Sequence, residues 1–195
     1  LMAEMEHTLE HLFFRLLRVP QEQLLDLQQH LRTLCGKAME GDMVLCHRDY
    51  HSANLMVKDN RLRLVDWQDA RLGPDTYDAA SLIRDSYRDI GEQWRNMALR
   101  YLTGSGGAGI FHFIFSAAQR NVKALGTFAW QYRALGRKRY LAYIPRTLRY
   151  LEQYPEFCPA VGPAVERIIS LVETYTGEID LRGFREQDAP VILER

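Results

Sequence analysis

The stretch HRDYHSAN, residues 47–54, sets a cation, a carboxylate and a carboxamide at fixed offsets directly after the apolar run 44–46. Asp49, Asn54, Asp66, Asp69 and Asp78 then all fall within thirty residues. Asp66 ends the second strand of an expected hairpin whose first strand starts just after Asn54, so the hairpin can return Asp66 beside Asn54. A carboxylate and an amide carbonyl are the hard oxygen donors that Mg²⁺ accepts, with waters and substrate phosphates completing its octahedron. Asp49, outside that pair, is placed to take a proton from a substrate hydroxyl within hydrogen-bond reach. The competing reading is a polar turn, because Asp and Asn also satisfy nearby backbone groups. The register of Asp66 and Asp78 with the loop favours chemistry. His51 could touch substrate or phosphate, but a loop histidine more often hydrogen-bonds backbone, and that is the expectation for it.

The elements that must position these residues are mostly helical. Residues 1–18 place Met5, Leu9, Leu12, Phe13, Leu16 and Leu17 at three- and four-residue spacing, one apolar helical face without an N-cap. Pro20 suits the first turn of a second helix ending near Gly41, and the two should pack as a hairpin. Runs 44–46, 55–58 and 61–65 are β-prone, with Asp59-Asn60 as a tight turn between the last two. Helical patterns resume after Pro74, at about 76–89, 92–102, 110–135, 138–153 and 161–176. The aromatic residues Phe111, Phe113, Phe115, Phe128, Trp130 and Tyr132 lie in such patterns and belong to the core. Gly104 to Gly109 follows a helix and reads as a connection, not a phosphate loop. The fold class is mainly α with a small β-hairpin region, α+β, in one globular unit.

Composition narrows the function. The 25 basic and 25 acidic residues cancel, which argues against nucleic acid or anionic lipid as a partner. No apolar run approaches a membrane span and no signal-peptide layout opens the chain. Cys35, Cys46 and Cys158 lack metal spacing and suit a reducing compartment, so a cytoplasmic location is expected. Lys123, Arg137, Lys138 and Arg139 are read as solvated helix ends more readily than as cleft residues.

HRDYHSAN resembles the H-R-D-x-x-x-x-N catalytic loop of protein kinases, and VDWQDA stands where their metal-binding D-F-G would be. The motifs are still more similar to the aminoglycoside phosphotransferase and choline kinase group. That group shows an H-x-D-x-x-x-x-N loop, a strand ending in D-W or D-F, and a D-A-x-x-G-x-x-x-x-D segment, here Asp69 to Asp78. The resemblance implies Asp49 as catalytic base, Asn54 and Asp66 as Mg²⁺ ligands bridging ATP phosphates, and His47 and Asp78 as supports of the loop. Arg48 stands where many small-molecule kinases carry Gly, and Asp69 is assigned to loop support or substrate positioning. Residues 119–151 are similar in texture to the C-terminal helices of anomeric amino-sugar kinases, which phosphorylate C1 of N-acetylmuramate or N-acetylglucosamine.

The implied layout is the C-terminal lobe of the protein kinase-like fold over residues 1–184. It comprises a helical hairpin (1–40), catalytic and metal loops (44–78) and substrate-side helices (79–177), followed by a tail (185–195). The β-rich nucleotide lobe, with its covering loop and its lysine, has no counterpart in the sequence. The expectation is therefore a lobe with little activity alone. A partly apolar surface facing the missing lobe would favour self-association. The implied cofactor is Mg²⁺, with ATP as phosphoryl donor and a small-molecule hydroxyl as acceptor. The alternatives are a kinase of an aminoglycoside or a choline-like alcohol, and a non-catalytic binding module derived from a kinase.

Overall fold

The computed structural model describes residues 1–103, 107–176 and 179–184. Helix α1 (Met2–Thr8) continues as a π-helical stretch, Leu9–Leu16, and buries Met5, Leu12 and Phe13 completely. A 3-10 turn, Gln21–Leu24, follows Pro20 and opens α2 (Leu25–Ala38), which buries Leu27, Leu31, Leu34 and Cys35. Both segments thus present the apolar stripe that their spacing predicts.

Strand β2 (Leu55–Lys58) pairs antiparallel with β3 (Arg61–Leu64), Leu55 opposite Leu64. Asp59 and Asn60 both have positive φ (52° and 54°), the left-handed pair that a two-residue hairpin turn requires. A second two-stranded sheet joins β1 (Met43–Cys46) to β4 (Arg71–Pro74). β4 was not expected, because a Gly and a Pro in four residues oppose a strand assignment; Pro74 is tolerated in a sheet with only one partner strand. The sheets leave two cross-strand apolar pairs, Leu45 with Leu72 and Val57 with Leu62, more than 60% exposed.

Helix α3 (Tyr77–Ile83) is shorter than the expected 76–89. The Asp85 carboxylate accepts from Tyr87 N at 2.7 Å and that of Asp89 from Gly91 N at 2.8 Å, local bonds that compete with helix continuation. Then come α4 (Glu92–Thr103) and α5 (Gly107–Leu135); residues 104–106 of the glycine-rich run lie outside the described residues. The pattern at 138–153 divides into a 3-10 stretch, Lys138–Tyr143, and α6 (Ile144–Phe157), and α7 (Gly162–Tyr175) follows. The expected tail, 185–195, lies outside the described residues. Among those described, no helix is long and apolar enough to cross a membrane. All three cysteines are free and buried.

Helix α5 is the axis of the fold, and α1, α2, α3, α4 and α6 all pack on it. It is buried on almost every side over residues 113–129, including Phe113, Ala117, Val122, Leu125 and Phe128. Its contact with α1 is close. A Cβ on Gly126 would lie 2.6 Å from Thr8 Cα, while Thr8 Oγ1 donates to Val122 O at 3.0 Å. Gly126→Ala must therefore push two helix backbones apart. It is expected to destabilise the chain by about 2 kcal/mol, a Tm lower by roughly 4–8 °C in a thermal melt.

Candidate active site

The loop after β1 is held from both ends by carboxylates at the two ends of α3. Asp78 accepts from His47 N at 2.6 Å and from Arg48 N at 2.9 Å. Asp85, only 2% exposed, accepts from Ser52 N at 2.8 Å. Asn121 on α5 fixes the Asp85 turn, donating through Nδ2 to Arg84 O at 3.0 Å and accepting from Tyr154 through Oδ1. Asp85 escaped the sequence reading because it lies outside the motifs; its position two helical turns beyond Asp78 was the available signal.

The ring of His47 ties this loop to the hairpin. Its Nε2 lies 2.9 Å from Val65 O, and since a carbonyl only accepts, Nε2 carries the proton. The ring also meets Trp67 edge-on, with centroids 4.7 Å apart. Val65 N donates to Asn54 O at 3.1 Å, so the backbone brings the position of Asp66 beside that of Asn54, as the hairpin argument requires. Asp66 is exposed and left-handed, with φ 69°. Asn54 Nδ2 donates to Asp49 O at 2.9 Å, which leaves its side-chain oxygen available to a cation. Among the described residues no group of three or more His, Cys, Asp and Glu could hold a metal by itself. One amide and one carboxylate fit a Mg²⁺ ion that takes its remaining ligands from water and phosphate. Asp69 is exposed in the 3-10 turn Trp67–Asp69, and its side chain makes no hydrogen bond or ion pair with the described residues.

Arg48 also has positive φ, 72°, a conformation glycine adopts without cost. Its side chain compensates. The guanidinium is buried, paired with Glu4 and set 5.0 Å over the Tyr77 ring.

Asp49 lies at the meeting of the loop with α5. Its Oδ1 is 3.0 Å from Lys123 Nζ and 3.4 Å from a terminal guanidinium nitrogen of Arg120. Lys123 also reaches Glu4 at 3.3 Å, and Gln119 Nε2 donates to Glu4 at 2.8 Å. Lys123 is therefore a central member of a half-buried ion network, not the solvated residue expected; Arg137, Lys138 and Arg139 are exposed as expected. A single-sequence reading of α5 has no access to the loop and helix that supply its counter-ions. Burial favours the neutral form of Glu4, but Lys123, Arg48 and the hydrogen bonds from Gln119 and Arg48 outweigh it and hold the carboxyl at about 2. Burial opposes the charge of Asp49 as well, and Lys123 and Arg120 override it, keeping its pKa below the usual value. Burial, then Arg120, lowers Lys123, against the pull of Glu4 and Asp49.

His51 packs its ring on Tyr87, centroids 5.0 Å apart, and its buried Nδ1 has no hydrogen-bond partner among the described residues. Burial, then the charge of Arg120, lowers its pKa. A cavity of about 20 Å³ beside His51, Asp85 and Arg120 has room for one water.

The folded pKa of Glu4, about 2 against 4.5 without these partners, makes stability pH-dependent. Stabilisation is full above 4.5 and is lost as pH falls toward 2. The loss is on the order of 3 kcal/mol. Urea unfolding at pH 6 and pH 3 should show the decline, and Glu4→Gln should flatten it.

The profile described as "Phosphotransferase enzyme family" matches residues 2–110, more than half of the chain, and the chain belongs to that family. A protein of Neisseria meningitidis serogroup B is 32% identical over 156 residues, which cover 74% of this chain and 47% of that protein. One of Pseudomonas aeruginosa is 35% identical over 149 residues, 71% of this chain and 44% of that protein. One of Pseudomonas putida is 29% identical over 155 residues, 74% and 46% respectively. Each is named N-acetylmuramate/N-acetylglucosamine kinase. The chain spans about half the length of these relatives.

Proposed function

We propose that the chain is the C-terminal lobe of a cytoplasmic, ATP- and Mg²⁺-dependent kinase that phosphorylates a hydroxyl of an amino sugar, in the manner its relatives' names describe. Asp49 receives the acceptor's proton as the new P–O bond forms and the bond to the leaving diphosphate breaks. Asn54 and Asp66 hold Mg²⁺, which neutralises phosphate charge when bound. His47, Arg48 and Asp78 fix the loop.

The observation that carries the choice of acceptor is the surroundings of Asp49. Arg48, Arg120 and Lys123 supply three cations to the two carboxylates they pair with, Glu4 and Asp49. With Asp49 already paired to Lys123 and Arg120, its carboxylate is not free to draw a polycationic aminoglycoside or a quaternary ammonium alcohol, which favours a neutral sugar.

The whole protein, assayed with ATP and Mg²⁺, should phosphorylate N-acetylmuramate or N-acetylglucosamine and leave kanamycin and choline unmodified. The reverse preference would sink the reading, and no turnover on any of them would favour a binding module. The 195-residue chain by itself should turn over little, because its described residues contain no β-rich element ahead of the catalytic loop to cover a nucleotide. Calorimetric titration of ATP with Mg²⁺, with Asp66→Ala as control, reports whether a usable site remains. The exposed apolar pairs Leu45/Leu72 and Val57/Leu62 are where the chain would self-associate.

A further inference from the structure

We propose that Lys123 is a positioning residue for Asp49, kept in place by Glu4; the inference rests on the reading of Asp49 as the group that receives the acceptor's proton. Lys123 Nζ sits between Asp49 Oδ1, at 3.0 Å, and Glu4 Oε1, at 3.3 Å, with its side chain 21% exposed. Arg120 reaches the same Asp49 oxygen. Among the described residues no hydrogen bond or ion pair reaches Oδ2. A carboxylate clamped through one oxygen offers the other in a fixed direction, and small misplacements of a reacting group are costly in rate.

The clamp has two anchors. Gln119 and Lys123 lie one turn apart on α5, and both contact Glu4 on α1. Glu4 also pairs with Arg48, the residue before Asp49, so one carboxylate orients the loop backbone and the lysine together. Nothing in the packing calls for these charges. Ala117, Ala118, Val122 and Leu125, on the same stretch of α5, are buried and apolar, and a buried ion pair is generally no more stabilising than a well-packed apolar replacement. The charges occur where α1 and α5 meet the loop of Asp49.

The test measures kcat and both KM values of the whole protein, with the amino sugar and ATP, for Lys123→Met, Lys123→Arg, Asp49→Asn and the double variant Asp49→Asn/Lys123→Met. Lys123→Met should lower kcat by about 10²-fold and leave the KM for ATP within about 2-fold. Lys123→Arg should recover part of the loss. On the Asp49→Asn background Lys123→Met should have no further effect, the signature of a residue acting through another. Wild-type kcat in Lys123→Met, or a loss that multiplies with that of Asp49→Asn, overturns the inference while the kinase reading stands. Turnover retained by Asp49→Asn overturns both. Should Lys123→Met fail to fold, Glu4→Gln, assayed well below its lowered Tm, decides: about a 10-fold lower kcat with the KM for ATP unchanged supports the clamp, and an unchanged kcat overturns it.

Discussion

On the proposed function, Asp49→Asn is expected to lower kcat of the whole protein by about 10³-fold, within the range that a positioned acid or base contributes, while the chain stays folded. Asparagine is the informative replacement. It keeps an oxygen where Lys123 and Arg120 converge, whereas alanine would leave the half-buried Lys123 and the buried Arg120 without the acceptor they share. The asparagine amide cannot take the acceptor's proton, so the loss should fall in kcat, with a smaller change in the KM for ATP. Steady-state kinetics beside a thermal melt separates the two effects. Turnover within a few-fold of wild type at an unchanged Tm would remove Asp49 from the chemistry.

Asp78→Ala should have the largest effect on stability. The carboxylate takes two backbone N–H groups at once, from His47 and Arg48, across thirty residues of chain. Hydrogen bonds to a charged group are worth more than neutral ones, and their loss leaves both donors unsatisfied. The expected cost is about 3 kcal/mol, a Tm lower by roughly 6–12 °C. Asp78→Asn keeps one acceptor oxygen and should fall between. Because Arg48 is held at positive φ, release of its N–H also frees the loop to leave that conformation, and activity should fall with stability. A melt of Asp78→Ala superimposable on the parent would show that the loop is held by other means.

The site was legible to the extent that it is local. Asp49, Asn54 and Asp66 could be grouped as a candidate site because two short strands and a left-handed Asp-Asn turn fix their relation within eighteen residues. The apolar stripes of α1 and α2 were equally plain, since a period of three and four needs no partner to be seen. What escaped depends on distant chain. β4 exists by pairing with β1, about thirty residues earlier. Glu4 and Lys123 read as ordinary helix charges until α1 and α5 are placed against the loop. The end of α3 was misplaced because Asp85 spends its carboxylate on Ser52 and Tyr87 and so breaks a pattern that otherwise continues.

The left-handed backbone of Arg48 links two positions far apart in sequence. Glycine at position 48 would relieve the conformational cost, yet it would remove a buried partner of Glu4 and the cation over Tyr77. Position 4 and position 48 are thus coupled in one direction: a relative that keeps the arginine should keep the acid on α1, whereas one with glycine in the loop can keep the acid, which Lys123 and Gln119 still hold. Loss of the acid first strands the buried arginine, so drift between the two forms of this loop has a preferred order, arginine before acid.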